Sequence, residues 1–135
     1  MRVLTQAVRL ALAASAVVAG SIAVAGPANA VATPAEACGS NYHEIDHHDI
    51  PGARIHLLYN GTTNCVVTTN DNPGTKKYML AGISSDKHPA AINDSGVFAY
   101  YAGPVRLDAR GICIMWTGAS GSITWVSPES QSHCG

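Results

Sequence analysis

Cysteine usage constrains this 135-residue chain more than any other feature. Its four cysteines, Cys38, Cys65, Cys113 and Cys134, all follow an N-terminal segment with the pattern of an export leader. Export places thiols in an oxidising compartment, where an even number in a short chain reads as a disulfide framework. Two bridges remove every cysteine from the candidate nucleophiles and metal ligands. They also stiffen a domain whose core is modest for its size.

The leader is read over residues 1–30. Arg2 and Arg9 give the positive start, and Leu10 to Ala25 is an apolar run. Ala28-Asn29-Ala30 is a small-x-small site, so cleavage is expected after Ala30. Gly20, Ser21 and Gly26-Pro27 interrupt the run and no stop-transfer charges follow, which favours a leader over a membrane anchor. No cysteine at the cleavage site offers a lipid attachment. The mature chain is then expected to have no membrane span. It keeps six Lys/Arg against nine Asp/Glu, a net charge of −3. That balance argues against a nucleic-acid partner, which requires a basic surface.

After the leader, residues 31–37 read as a flexible tail and 38–135 as a β domain. Ile55, Leu57 and Tyr59 alternate with Arg54 and His56. Asn60 to Asn64 is a turn, and Cys65 to Thr69 is β-branched, so the two runs form a hairpin. Asn70-Asp71-Asn72-Pro73-Gly74 is a second turn, and Tyr78 to Ile83 the next strand. Ser84 to Asn93 reads as irregular and Asp94-Ser95-Gly96 as a turn. Val97 to Tyr101 reads as a strand, bent at Gly103-Pro104 and resumed by Val105 to Leu107. Asp108 to Gly111 turns the chain into Ile112 to Thr117. Gly118 to Ser122 reads as a loop and Ile123 to Val126 as the last strand. The fold class is all-β, a single small antiparallel sandwich or barrel stapled by two disulfides. Four cysteines allow three pairings. Cys38–Cys65 and Cys113–Cys134 are expected, because each would tie a terminal segment, otherwise prone to fray, onto a strand.

Several runs resemble a known family. They are Ala37-Cys38-Gly39-Ser40-x-Tyr42, Ile45-Asp46-x-His48, Leu57 to Asn60, Asn64 to Thr68, Tyr100 to Val105 and the closing Ser132-His133-Cys134-Gly135. Over nearly all of the mature chain the sequence is similar to the spore-associated protein A family. The resemblance implies a small secreted protein of filamentous, spore-forming actinobacteria, found with the spore surface and without established catalytic residues. Where that family tends to show Trp followed by two glycines, this chain has Trp116-Thr117-Gly118. A different loop after the Trp is expected.

No residue pattern names a reaction. His43-Glu44-Ile45-Asp46-His47-His48-Asp49 carries imidazole and carboxylate suited to zinc, copper or nickel. On a strand, however, His43 and His47 stand ~13 Å apart, and His47 and His48 point to opposite faces. Only a short helix capped by Asn41-x-x-Glu44 would bring His43 and His47 together. The run therefore reads as a solvated polar strand or turn, with neither metal nor cofactor. Gly118-Ala119-Ser120-Gly121-Ser122 approaches a nucleophile elbow without its spacing. Glu36, Glu44 and Glu129 are scattered, and Asp94 and Asp108 sit in turn contexts, so no glycosidase pair is evident. Tyr100, Tyr101 and Trp125 are the candidate binding surface, set against ordinary core filling in a chain with one Phe. The expected function is a secreted, non-enzymatic spore- or cell-surface protein, acting by adhesion or assembly on a glycan or protein of that surface. The alternative is a small secreted hydrolase or metal-dependent enzyme with an unrecognised site.

Overall fold

A computed structural model describes residues 32–128, 133 and 134. The leader, Val31, Glu129 and Ser132 therefore lie outside the described residues. In chain order the elements are α1 Pro34–Cys38, β1 His43–Ile50, β2 Ala53–Tyr59, β3 Thr63–Asn70, β4 Lys77–Ser85, β5 His88–Phe98, β6 Tyr101–Asp108, β7 Ile114–Ser120 and β8 Ile123–Val126. Two four-stranded antiparallel sheets result. Sheet one has the order β1-β2-β3-β6 and sheet two β5-β4-β7-β8. The arrangement is a sandwich and not a closed barrel.

The core fills the space between the sheets. Period-2 alternation points Ile55 and Leu57 of β2 and Val66 of β3 inward, to meet Met79, Ala81 and Ile83 of β4 and Ile114 and Trp116 of β7. Thr68 also points inward and is fully buried, yet its hydroxyl has no hydrogen-bond partner. A buried unpaired hydroxyl costs about 1–3 kcal/mol. Thr68→Val keeps the shape and removes that polar group, so stability is expected to rise by about 1 kcal/mol. A urea midpoint that stays put or falls would show that the hydroxyl is satisfied.

β2 breaks the simple alternation, because His56 and Leu58 are buried as well as Ile55 and Leu57. The reason is a second, small cluster on the outer face of sheet one. Leu58, Cys65 and Val67 pack there with Cys38, under Ala35, Ala37, Tyr42 and Tyr101. The segment read as a flexible tail supplies that cover. Residues 34–38 form a helical turn, with Pro34 in the first turn and a reciprocal capping box between Thr33 and Glu36. The Thr33 hydroxyl accepts from the Glu36 amide at 3.2 Å, and Glu36 Oε2 accepts from the Thr33 amide at 2.7 Å. Arg106 of β6 closes the other end, donating to the Cys38 carbonyl at 3.0 and 2.6 Å. A helix this short needs such anchors. The strongest is the Cys38–Cys65 bridge, and Cys113 joins Cys134. Both pairings are the expected ones.

Four expectations fail around sheet two. Ser84 to Asn93 is not irregular but the end of β4 and the start of β5. β5 is an edge strand, exposed along most of its length, so it shows no apolar alternation and tolerates Pro89. Asp94-Ser95-Gly96 lies within β5 and makes no turn. The Asp94 carboxylate instead accepts from the Gly103 amide at 2.7 Å, tying β5 to β6. The chain crosses between sheets at Ala99-Tyr100, so Val97 to Tyr101 is not one strand. Gly118 to Ser120 continues β7, and only Gly121-Ser122 turns.

Candidate functional site

The outer face of sheet one holds a connected line of polar side chains. The β2–β3 hairpin sets His56 opposite Val67 and Arg54 opposite Thr69. His56 and Thr69 are therefore diagonal neighbours on one face. A bulge between Glu44 and Asp46 shifts the β1–β2 register, and bulges re-aim side chains. Glu44 Oε1 meets His56 Nδ1, and His56 Nε2 lies 2.9 Å from Thr69 Oγ1. His47 Nδ1 stands 3.8 Å from the other Glu44 oxygen.

The protonation pattern follows from this geometry. His56 is 8% exposed, and burial holds its imidazole below the usual pKa. Glu44 acts in the opposite direction, while Arg54 and His47 add to the lowering. At neutral pH the ring is uncharged with one N–H. Nδ1 faces a carboxylate that can only accept, so the proton sits on Nδ1. The Nε2 lone pair then faces Thr69, whose hydroxyl donates to it. A weaker alternative partner for that hydroxyl is the Arg54 carbonyl at 3.4 Å.

His56 and Thr69 line an open cleft of about 640 Å³, walled on one side by Ala32, Thr33 and Pro34. Arg54 lines it too, in a two-point ion pair with Asp49 whose longer arm is 3.1 Å. The guanidinium holds the Asp49 carboxyl below the usual carboxylate range. Asp71 stands on the same rim, so the cleft has no net positive charge.

The remaining histidines disperse. His48 stacks on Trp125 with ring centroids 4.1 Å apart, and Trp125 meets Trp116 edge-on at 4.8 Å. This stack joins β1 to β8, the edges of the two sheets. His133 Nε2 lies 3.0 Å from Asp46 Oδ2, so the terminal segment bonds to β1. His43 to Asp49 is strand, and the helix that would have paired His43 with His47 does not form. Among the described residues, no three His, Cys, Asp or Glu side chains converge as metal ligands.

No protein-family model matches the chain, and no solved structure does. Spore-associated protein A of Streptomyces coelicolor is 35% identical over 129 residues, covering 93% of this chain and 82% of that protein. The chain belongs to the spore-associated protein A family.

In this family member the three aromatics of the expected binding surface do not form one patch. Trp125 packs against the core between the sheets, and Tyr101 against the small cluster outside sheet one. Tyr100 lies in the bend before β6, half-buried. Tyr100 and Tyr101 thus do not alternate along a strand, because the strand begins between them. Ser120, the elbow candidate, is buried at the end of β7. Glu36 caps α1, and the Asp108 carboxylate accepts from the Arg110 amide at 3.4 Å. The residue after Trp116 starts no altered loop, since β7 runs on to Ser120.

Sequence reasoning passed over His56 and Thr69. One signal was present. A turn at Asn60 to Thr62 fixes the hairpin register, and that register alone sets His56 diagonal to Thr69. The Glu44 contact was hidden, because it depends on the bulge.

Proposed function

We propose that this chain is a secreted protein of the spore or cell surface that acts by adhesion or assembly through the outer face of sheet two. One observation carries the reading. Of Lys, Arg, His, Asp and Glu, the four strands of that sheet hold only Lys77, His88 and Asp94. Lys77 turns its ammonium to the Gly52 carbonyl, Asp94 faces β6, and His88 stands at the hairpin end. What faces out is apolar or neutral. Tyr78 pairs with Val97 across β4 and β5, and Thr117 with Val126 across β7 and β8. Tyr78, Val97 and Val126 are 44%, 68% and 48% exposed. A face of this kind, on a domain whose other sheet turns Glu44, His47, Asp49, Arg54 and His56 outward, suits short-range contact with a surface.

The relative's name says that it is spore-associated. The leader-like start and two disulfides fit an exported chain. Among the described residues no helix is long and apolar enough to cross a membrane. In this reading the folded surface does the holding. Apolar contact should survive salt, whereas ionic contact fades as the Debye length falls to ~3 Å at ~1 M. The protein is expected to stay on spores through a 1 M-scale wash, and Tyr78→Ser/Val97→Ser/Val126→Ser to be released without salt. Stripping of the natural chain by salt, or full retention of the triple variant, would overturn the reading.

A further inference from the structure

The geometry points to a chemical site on the outer face of sheet one: Thr69 is a nucleophilic hydroxyl that accepts acyl groups from neutral esters, with His56 as its general base and Glu44 as the residue that positions the base. This goes beyond surface association and does not depend on it, since the two functions use opposite sheets.

Three features separate the arrangement from a polar network that only satisfies a buried histidine. The first is order. Carboxylate, Nδ1–H, Nε2 lone pair and hydroxyl run in one line, as nucleophile activation requires. The second is access. Thr69 is half-buried, and both it and His56 line the open cleft, so an ester carbonyl can approach the hydroxyl. The third is the state of the base. A general base must be neutral, and the burial of His56 keeps it so. Glu44 and His47 face His56 from β1, Arg54 stands on its own strand, and β3 brings the Thr69 hydroxyl. The choice of neutral esters follows from the rim, where Asp49 offsets Arg54 and Asp71 adds a negative charge.

The step balances without any redox partner. Thr69 Oγ1 bonds to the acyl carbon, and its proton moves to His56 Nε2. The bond from the acyl carbon to the leaving oxygen breaks, and His56 returns the proton to that oxygen. The products are an ester on Thr69 and a free alcohol.

The test uses the full chain with both disulfides formed and p-nitrophenyl acetate as the probe. Nitrophenolate release is followed, and the acetyl group is located by peptide mass spectrometry. One acetyl group on Thr69 is expected, forming faster as pH rises through the His56 midpoint, which lies below the ordinary 6.5. Thr69→Val should abolish this label and Thr69→Ser should keep it. His56→Gln should slow labelling ~100-fold or more. Glu44→Gln, an exposed change that spares the core, should slow it as well. It should also move the midpoint lower, because Glu44 is what raises it. Acetyl groups found only on lysines, Thr69 labelling that is equally fast in His56→Gln, or a Glu44→Gln profile unmoved in rate and midpoint would each overturn the proposal. Should His56→Gln fail to fold, the Glu44→Gln and Thr69→Val arms still decide it.

Discussion

Replacing Cys38 and Cys65 together by alanine is expected to lower the free energy of unfolding by about 3–4 kcal/mol. The bridge spans 27 residues, and a loop of that size restricts the unfolded chain by about that amount. For a domain of this length the melting temperature should fall by roughly 15–25 °C. The double change is the informative one, because a single change leaves a free thiol that can mispair. A second effect is local. The five residues of α1 cannot hold a helix unaided, and Arg106 and the Thr33–Glu36 box become their remaining anchors. Leu58 and Val67 then lose part of their cover. The wall over the cleft at Ala32 to Pro34 loosens with them. Water reaches His56, and its titration midpoint should rise toward the ordinary 6.5. Thermal unfolding and an NMR titration of the His56 ring report the two effects separately. A melting temperature within a few degrees of the natural chain's, with the His56 midpoint unmoved, would show that the bridge neither stabilises the domain nor builds the cleft.

The β2–β3 hairpin was legible in the sequence: Ile55, Leu57 and Tyr59 alternate in β2, β3 holds a β-branched run, and Asn60-Gly61 marks the turn between them. The burial of both faces of these strands, which the second cluster causes, was not. β5 was illegible because an exposed edge strand has no dry face to mark. Its Asp94-Ser95-Gly96 run carries turn chemistry but is held straight by its pairing to β4, which runs from Lys77 opposite Phe98 to Ser85 opposite His88. α1 was illegible for a different reason. Its Pro, Glu and cap threonine are ordinary helix-start signals, but five residues are too few for a periodicity to appear. The cysteine pairing was legible because terminal segments have little else to anchor them. The Glu44–His56–Thr69 line was half legible. Hairpin register sets the second contact, whereas the first needs the bulge at Glu44/Asp46. The aromatics misled because Tyr and Trp do the packing that Phe does elsewhere. Trp125 joins two sheet edges through His48 and Trp116, a contact between elements far apart in the chain.

Gly118→Ala is expected to cost about 3 kcal/mol, at the upper end of what overpacking does to a filled core. Gly118 sits mid-strand in β7, opposite Ala81 of β4 and Trp125 of β8. A methyl group there would lie 2.4 Å from Ile55 Cγ1 and 2.6 Å from Thr68 Oγ1, both on sheet one. Ile55 and Thr68 are fully buried and have nowhere to turn. The sheets must therefore separate or Ile55 must leave its rotamer, and either movement opens gaps around Met79 and Trp116 in the same core. A double-mutant cycle with Ile55→Ala isolates the clash. Ile55→Ala alone removes a buried side chain and should cost about 2–5 kcal/mol. With the colliding atoms gone, the alanine at position 118 fills part of that space, so the combined loss should fall short of the sum by more than about 1 kcal/mol. Gly121 supplies the contrast. Its φ is +59° and nothing lies within 4 Å of an added Cβ. Gly121→Ala should thus cost only the left-handed backbone penalty of about 1–2 kcal/mol and show no coupling to Ile55. Guanidinium unfolding of six chains, the natural one with three single and two double variants, reads all of these terms. A Gly118→Ala loss under about 1 kcal/mol, additive with Ile55→Ala, would mean that the sheets have slack at this point. The close approach of β7 to β2 would then not be what sets the spacing of the sandwich.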